Sequence, residues 1–196
     1  MVARTLPDDA PEPFQAALRA LKSAALRPEV VLTEAPSPGR IAPYSVALTA
    51  DVVDRRGAGE AEELATGRFV LLYDPTSPEP WDGTFRAVTF VRAELEPELG
   101  ADPLLGEVGW SWLIEALTQR GAAFSNEGGT VTRVVSESFA ALADRPSGVE
   151  IEIRASWTPQ GDDLAAHLSA WTDLLCTVAG LPPLPEGVTA LPARRR

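Results

Sequence analysis

The stretch 149-VEIEIRASWT-158 decides the reading of the fold. In an extended chain Val149, Ile151, Ile153, Ala155 and Trp157 fall on one side, and Glu150, Glu152, Arg154 and Ser156 on the other. A strand patterned in this way has one packed face and one wet face. That is the habit of an antiparallel sheet with its helices on a single side. Working outward, 130-TVTRVVSESF-139 precedes it as a partner strand, across a loop containing Asp144, Pro146 and Gly148. Beyond it, 162-DDLAAHLSAWTDLLCTVAG-180 reads as a helix with acids at its positive end and a terminal glycine.

The first half of the chain repeats the theme. The segment 13-PFQAALRALKSAAL-26 sets Phe14, Ala17, Leu18, Leu21 and Ala25 at helical spacing, with Pro28 as its stop. A short extended run, 29–35, ends in the Pro/Gly-rich loop 36–43. The strand 44-YSVALTADVV-53 follows, with Tyr44, Val46, Leu48, Ala50 and Val52 on one side. A polar connection over 54–67, with Gly57 and Gly59, leads to 68-RFVLLYD-74, which is apolar on both faces and therefore central. The proline-rich loop 75–84 closes on Asp82-Gly83 and enters a further strand, 85-FRAVTFVRAEL-95. Pro103 then opens a helix that ends near Gly121, and Ser125-Asn126-Glu127-Gly128-Gly129 reads as the turn back to the sheet.

The expected fold is therefore α+β and two-layered. A five- or six-stranded, mainly antiparallel sheet carries helices on one face in the order α-β-β-β-α-β-β-α, with an extra short strand near residue 31 making the sixth. Residues 1–10 are expected to be a disordered leader, 11–182 one domain, and 183–196 a Pro/Arg tail ending in Arg194, Arg195 and Arg196. At 196 residues with 45% hydrophobic content the chain can bury a real core.

Composition excludes several chemistries. With Lys+Arg 17 against Asp+Glu 28 the net charge is -11, which disfavours direct nucleic-acid binding. One cysteine, Cys176, excludes an internal disulfide and a multi-thiolate metal site, and one histidine, His167, excludes a His-rich one. Those two are nine residues apart on one predicted helix, so at about 100° per residue they point in opposite directions and form no dyad. Cys176 is expected in the core and His167 at the helix edge. Nucleophile-elbow, Walker and dinucleotide motifs are absent. Glu62/Glu63, Asp162/Asp163 and Glu150/Glu152 could serve acid/base work or bind a divalent cation, but also fit a solvated exterior. No catalytic residue, cofactor or metal is expected. The absence of a long apolar run and of a signal-peptide core suggests a cytoplasmic protein with no membrane partner.

Tryptophan carries the remaining signal. In 109-GWSWLIEALTQRGAAF-124, Trp112 is in step with Leu105, Val108 and Ala116, and Trp110 with Leu113 and Leu117. Such a helix is apolar over much of its circumference and is expected to be buried on more than one side, within the domain or by a second subunit. Trp81, in the proline-rich loop, is the candidate exposed anchor. Trp81 and Trp110 are thus the candidate protein-interaction residues.

The stretch GEVGWSWLIEALTQRGAAFSNEGGTVTRVVSESFAAL, with VEIEIRASW and the closing helix, resembles an actinobacterial family known only as domain of unknown function 3000. That resemblance covers most of the chain and implies no activity or cofactor. The element order is also similar to the type III secretion chaperone-like fold, whose members are small, acidic, usually dimeric binders of other proteins. The resulting expectation is a non-enzymatic protein-binding or chaperone-like module with an unidentified protein partner and a possible homodimer. The alternative is a small-ligand binder or carboxylate-based enzyme with a pocket between sheet and helices. A third option is a protein-contacting partner of RNA-processing machinery.

Overall fold

The computed structural model describes residues 10–39, 41–54 and 62–181; residues 1–9 of the leader, Gly57, Gly59 and the Pro/Arg tail lie outside the described residues, while Ala10 is buried. Six strands form one fully antiparallel sheet: β1 (Val30–Ala35), β2 (Tyr44–Asp54), β3 (Glu62–Tyr73), β4 (Phe85–Leu95), β5 (Phe124–Ser136) and β6 (Gly148–Pro159). Their order is β1-β2-β3-β4-β6-β5, so only the passage from β4 to β5 leaves the sheet. That passage carries α2 (Leu105–Gln119). With α1 (Glu12–Lys22) and α3 (Leu164–Val178) it covers one face of the sheet. The two-layer α+β architecture is the one that the alternation in 149–158 implies.

The inward residues of β6 are the ones anticipated. Val149, Ile151, Ile153, Ala155 and Trp157 are all buried, alongside Phe69 and Leu71 of β3 and Val91 of β4. Above them runs α3, whose residues are buried almost all round, including Leu168, Trp171, Leu174 and Leu175. It is therefore α3, held between α1, α2 and the sheet, that is enclosed on several sides. Asp163 caps it, accepting from the Ala166 amide at 3.1 Å, and Gly180 closes it at φ 72°. Its approach to the sheet depends on Gly67, where a Cβ would lie 2.6 Å from the Phe90 carbonyl oxygen and 2.9 Å from the Trp171 ring.

Several expectations are corrected. Helix α1 stops at Lys22, short of residue 26. Strand β3 begins at Glu62, so 62–67 belongs to the sheet and not to the connection, paired with β2 across a bulge at Val52/Val53. Ser125-Asn126-Glu127-Gly128-Gly129 is not the turn. Gly121, at φ 65°, ends the helix, and these five residues are already β5, with an extra residue bulged between Ser125 and Gly128. Helix α2 packs through Leu105, Gly109, Leu113, Ala116 and Leu117, drawn from both stripes, whereas Val108 is exposed and Trp110 and Trp112 are each half-buried. Gly109 sets that choice: it brings α2 down onto Ile151 and Val131. Nor does His167 lie at an edge; it is 1% exposed.

Candidate functional site on the helix-free face

The face of the sheet opposite the helices is built by the alternate residues of each strand. Residues standing side by side across strands form rows. One row runs Thr49, Arg68, Phe90, Arg154, Thr130 through β2, β3, β4, β6 and β5. The next runs Ala47, Val70, Val88, Ser156, Gly128, and is made of smaller side chains. A groove of about 600 Å³ opens along it, floored by Val70 and Val88 and walled by Arg68, Phe90 and Arg154. Val88 is 39% exposed there. The Arg154 guanidinium carbon sits 5.0 Å from the Phe90 ring centroid, so one face of the ring is already occupied by a cation.

Trp81 packs on the same face, against Val70 of the groove floor. The β3–β4 loop folds back, with the Asp74 amide donating to the Thr84 carbonyl at 2.9 Å. It lays the half-buried indole over Ala47, Val70 and Leu72, beside Ala35 and Ala42. The loop is locked from its backbone. The Trp81 carbonyl accepts from the Thr158 hydroxyl and from Asn126 Nδ2, the latter at 3.2 Å. Asn126, at φ 51° in the β5 bulge, also turns its carbonyl to Arg86, which donates to it at 2.8 Å. The bulge in 125–128 and the tryptophan loop thus form one clasp. The same arginine donates to the hydroxyls of Thr158 (3.0 Å) and Ser156 (2.7 Å).

Charge on this face is unevenly satisfied. Arg92 is bidentate to Glu150 (3.0 and 2.6 Å), and Arg154 lies 2.6 Å from Glu152. Arg86 and Arg68 have no carboxylate partner among the described residues: Arg86 holds neutral oxygens, and Arg68 donates to the Pro36 carbonyl at 2.6 Å. Burial lowers the pKa of Arg86 from its ordinary value, with no counter-charge to oppose it.

The other candidates find structural roles. Trp110 is half-buried at a second groove, between α2 and β5, of about 430 Å³. Its ring seats on Gly129, whose added Cβ would meet Trp110 at 2.8 Å. The two candidate tryptophans therefore lie on different sides of β5, and no single site unites them. Of the acid pairs, Glu150 and Glu152 are tied to arginines, Asp163 is a helix cap, and Glu62 and Glu63 are exposed at a strand end. His167 accepts through Nδ1 from the indole N–H of Trp157 at 3.1 Å, and burial pushes its pKa down to about 4. Burial pushes Cys176 up to about 12, so its thiol stays protonated and inert. No group of three or more potential metal ligands forms among the described residues, and no helix among them is long and apolar enough to cross a membrane.

Sequence reasoning passed over Arg68, Arg86, Val88 and Phe90. The signal lay in the repeated pattern Arg-x-Val at 68–70 and 86–88, which sets a cation and a branched apolar residue on the same side of neighbouring strands.

Fold and site define a two-layer α+β protein with one sealed and one open sheet face. A family described as a protein of unknown function (DUF3000) matches residues 10–189, and the chain belongs to that family. No curated protein and no solved structure matches the chain.

Proposed function

We propose that this chain is a non-enzymatic protein-binding module, used in the manner of a small chaperone or adaptor, whose docking surface is the helix-free sheet face. One observation carries the reading: apolar side chains that a sealed sheet would cover, Val88 above all, line an open groove bordered by cations. The histidine and the cysteine are both committed to the core, Glu150 and Glu152 hold arginines and Asp163 a helix end, so none of these groups pairs a nucleophile with a base among the described residues. The space between sheet and helices is filled by Trp157, Trp171, Phe69 and Leu71. A second reading, a small-ligand binder, draws on the groove volume of about 600 Å³, but at the open sheet face and not beneath the helices.

The test is site-specific photo-crosslinking in the native cell. A benzophenone side chain at Val88 should give discrete protein adducts, and one at exposed Glu12 on α1 should not. Equal or no adducts from the two positions would remove the proposal. Light scattering on the purified 20.9 kDa chain separates self-association from a foreign partner.

A further inference from the structure

Independently of the open-face reading, we infer that β5 is a docking edge for a second copy of this chain, the two β5 strands pairing antiparallel about a twofold axis through Thr132. β5 is the last strand in the sheet order and is bonded only to β6. Its regular ladder runs Gly128–Ser136, nine residues. Apart from that ladder, no backbone hydrogen bond reaches these residues among the described ones. Alternate amides and carbonyls therefore point outward unpaired along about 30 Å of edge. The usual guards of such an edge are missing. Gly128–Ser136 holds no proline and no lysine, the bulge lies before it, and Arg133 turns its head back to the Asp102 carbonyl. The opposite edge, β1, is six residues long, carries Glu34 and is followed by Pro36.

The strand itself selects the occupant. Thr132 is the middle of the nine residues, so a twofold axis there is the register that pairs all of them. It sets Val135 of each copy opposite Gly129 of the other, and Thr132 opposite its twin. Val131, Arg133 and Val135 lie on the helix side, paired with Ile153, Ile151 and Val149. There Val135 projects, 54% exposed, while Gly129 and Val131 line the α2–β5 groove of about 430 Å³ beside Trp110. The methyls of valine branch from Cβ, so its backbone position fixes where they stand. One side of one strand thus carries a knob and a hollow, and an antiparallel copy brings each to the other. A foreign strand would gain the same main-chain bonds without this match. Charge permits the approach: the chain carries -11, yet Gly128–Ser136 contains no acid and one arginine. The strand edge and the α2 layer make a strip about 30 Å long and roughly 20 Å wide. That is about 600 Å² per copy and ~1,200 Å² in all, the lower bound of a specific interface. Pairing also joins the two helix-free faces into one sheet twice as wide.

The experiment is analytical ultracentrifugation of the full chain over about 1 to 300 µM, joined to oxidative crosslinking of cysteine variants. The 20.9 kDa chain should pass to twice that mass with a midpoint in the micromolar range. Val135→Glu should weaken association at least about tenfold, since it brings a carboxylate into an apolar hollow that Glu107 already borders. Circular dichroism shows whether that variant is folded; should it lose its fold, the cysteine variants decide alone. Thr132→Cys should give an intermolecular disulfide under mild oxidant, because residues opposed on the twofold axis stand about 4.5–5.5 Å apart at Cα. Thr130→Cys should not, because its twin lies four residues along the strands, roughly 13 Å away. The native Cys176 is buried with its thiol protonated and does not compete. A monomer at every concentration, a dimer indifferent to a folded Val135→Glu, or equal crosslinking of Thr130→Cys and Thr132→Cys would overturn the inference. None of these results touches the open-face reading, which the crosslinks at Val88 decide.

Discussion

The two faces of one sheet differ in how completely their side chains are satisfied. Toward the helices, Trp157, Ile153, Ile151 and Val91 are each at 0% exposure, and the one histidine is used as an acceptor for an indole N–H. Toward solvent, the same strands present Val88 at 39% exposure and two arginines without carboxylates among the described residues. Neighbouring residues of one strand thus have opposite surroundings: the packed core on the odd positions of β4 and β6, the open face on the even ones. The difference teaches where to look for function in a chain without a catalytic motif. A sealed face explains itself, whereas an open apolar face bordered by arginines asks for an occupant.

The comparison can be broken most sharply in the core. Trp171→Ala should cost about 3–5 kcal/mol in urea denaturation, because α3 cannot collapse onto Gly67 to fill the space. Next in size is acidity. His167 is neutral in the folded state with its pKa lowered to about 4, below the ordinary 6.5. The unfolded chain therefore binds the extra proton first, so its stabilising contribution is whole above pH 6.5 and is lost as pH falls toward 4. The loss over that window should be about 3 kcal/mol, and a His167→Leu variant should lack that part of the slope in denaturation curves measured from pH 7 to 4.

Smaller effects probe the clasp and the open face. Asn126→Ala should cost about 1–2 kcal/mol in the same assay, since it places a Cβ-bearing residue without a compensating amide at φ 51° and releases the Trp81 carbonyl. Val88→Glu should change stability by less than about 0.5 kcal/mol, because the side chain is already partly in water on the open face. A large destabilisation by Val88→Glu would mean that the open face belongs to the folding core and would erase the contrast.

Much of this organisation was legible in sequence because it depends on period. Alternation in 149–158 and 44–53 specifies which side of each strand packs, and Asp163 with Gly180 marks both ends of α3. What escaped depends on tertiary approach. Residues 62–67 look like a linker, since Gly67 breaks a strand pattern, yet the glycine is there to admit Trp171. Asn-Glu-Gly-Gly looks like a turn, yet a bulge needs the same residue types, and only the partner strand β6 distinguishes the two. That both Trp110 and Trp112 stop half-buried could not be read without knowing that Gly109 faces the sheet between their two stripes. Of the site, Trp81 was visible as a loop aromatic, but its packing on Ala47, Val70 and Leu72 was not, and the residues that border the groove needed the cross-strand register to be seen as neighbours.

Methyl NMR on the folded chain tests the central claim most directly. Binding of the partner segment captured at Val88 should shift the methyl resonances of Val70 and Val88 on the open face and leave those of Ile151 and Ile153, sealed beneath the helices, unmoved. Shifts confined to Ile151 and Ile153, or to the Val131 side of the α2–β5 groove, would contradict it.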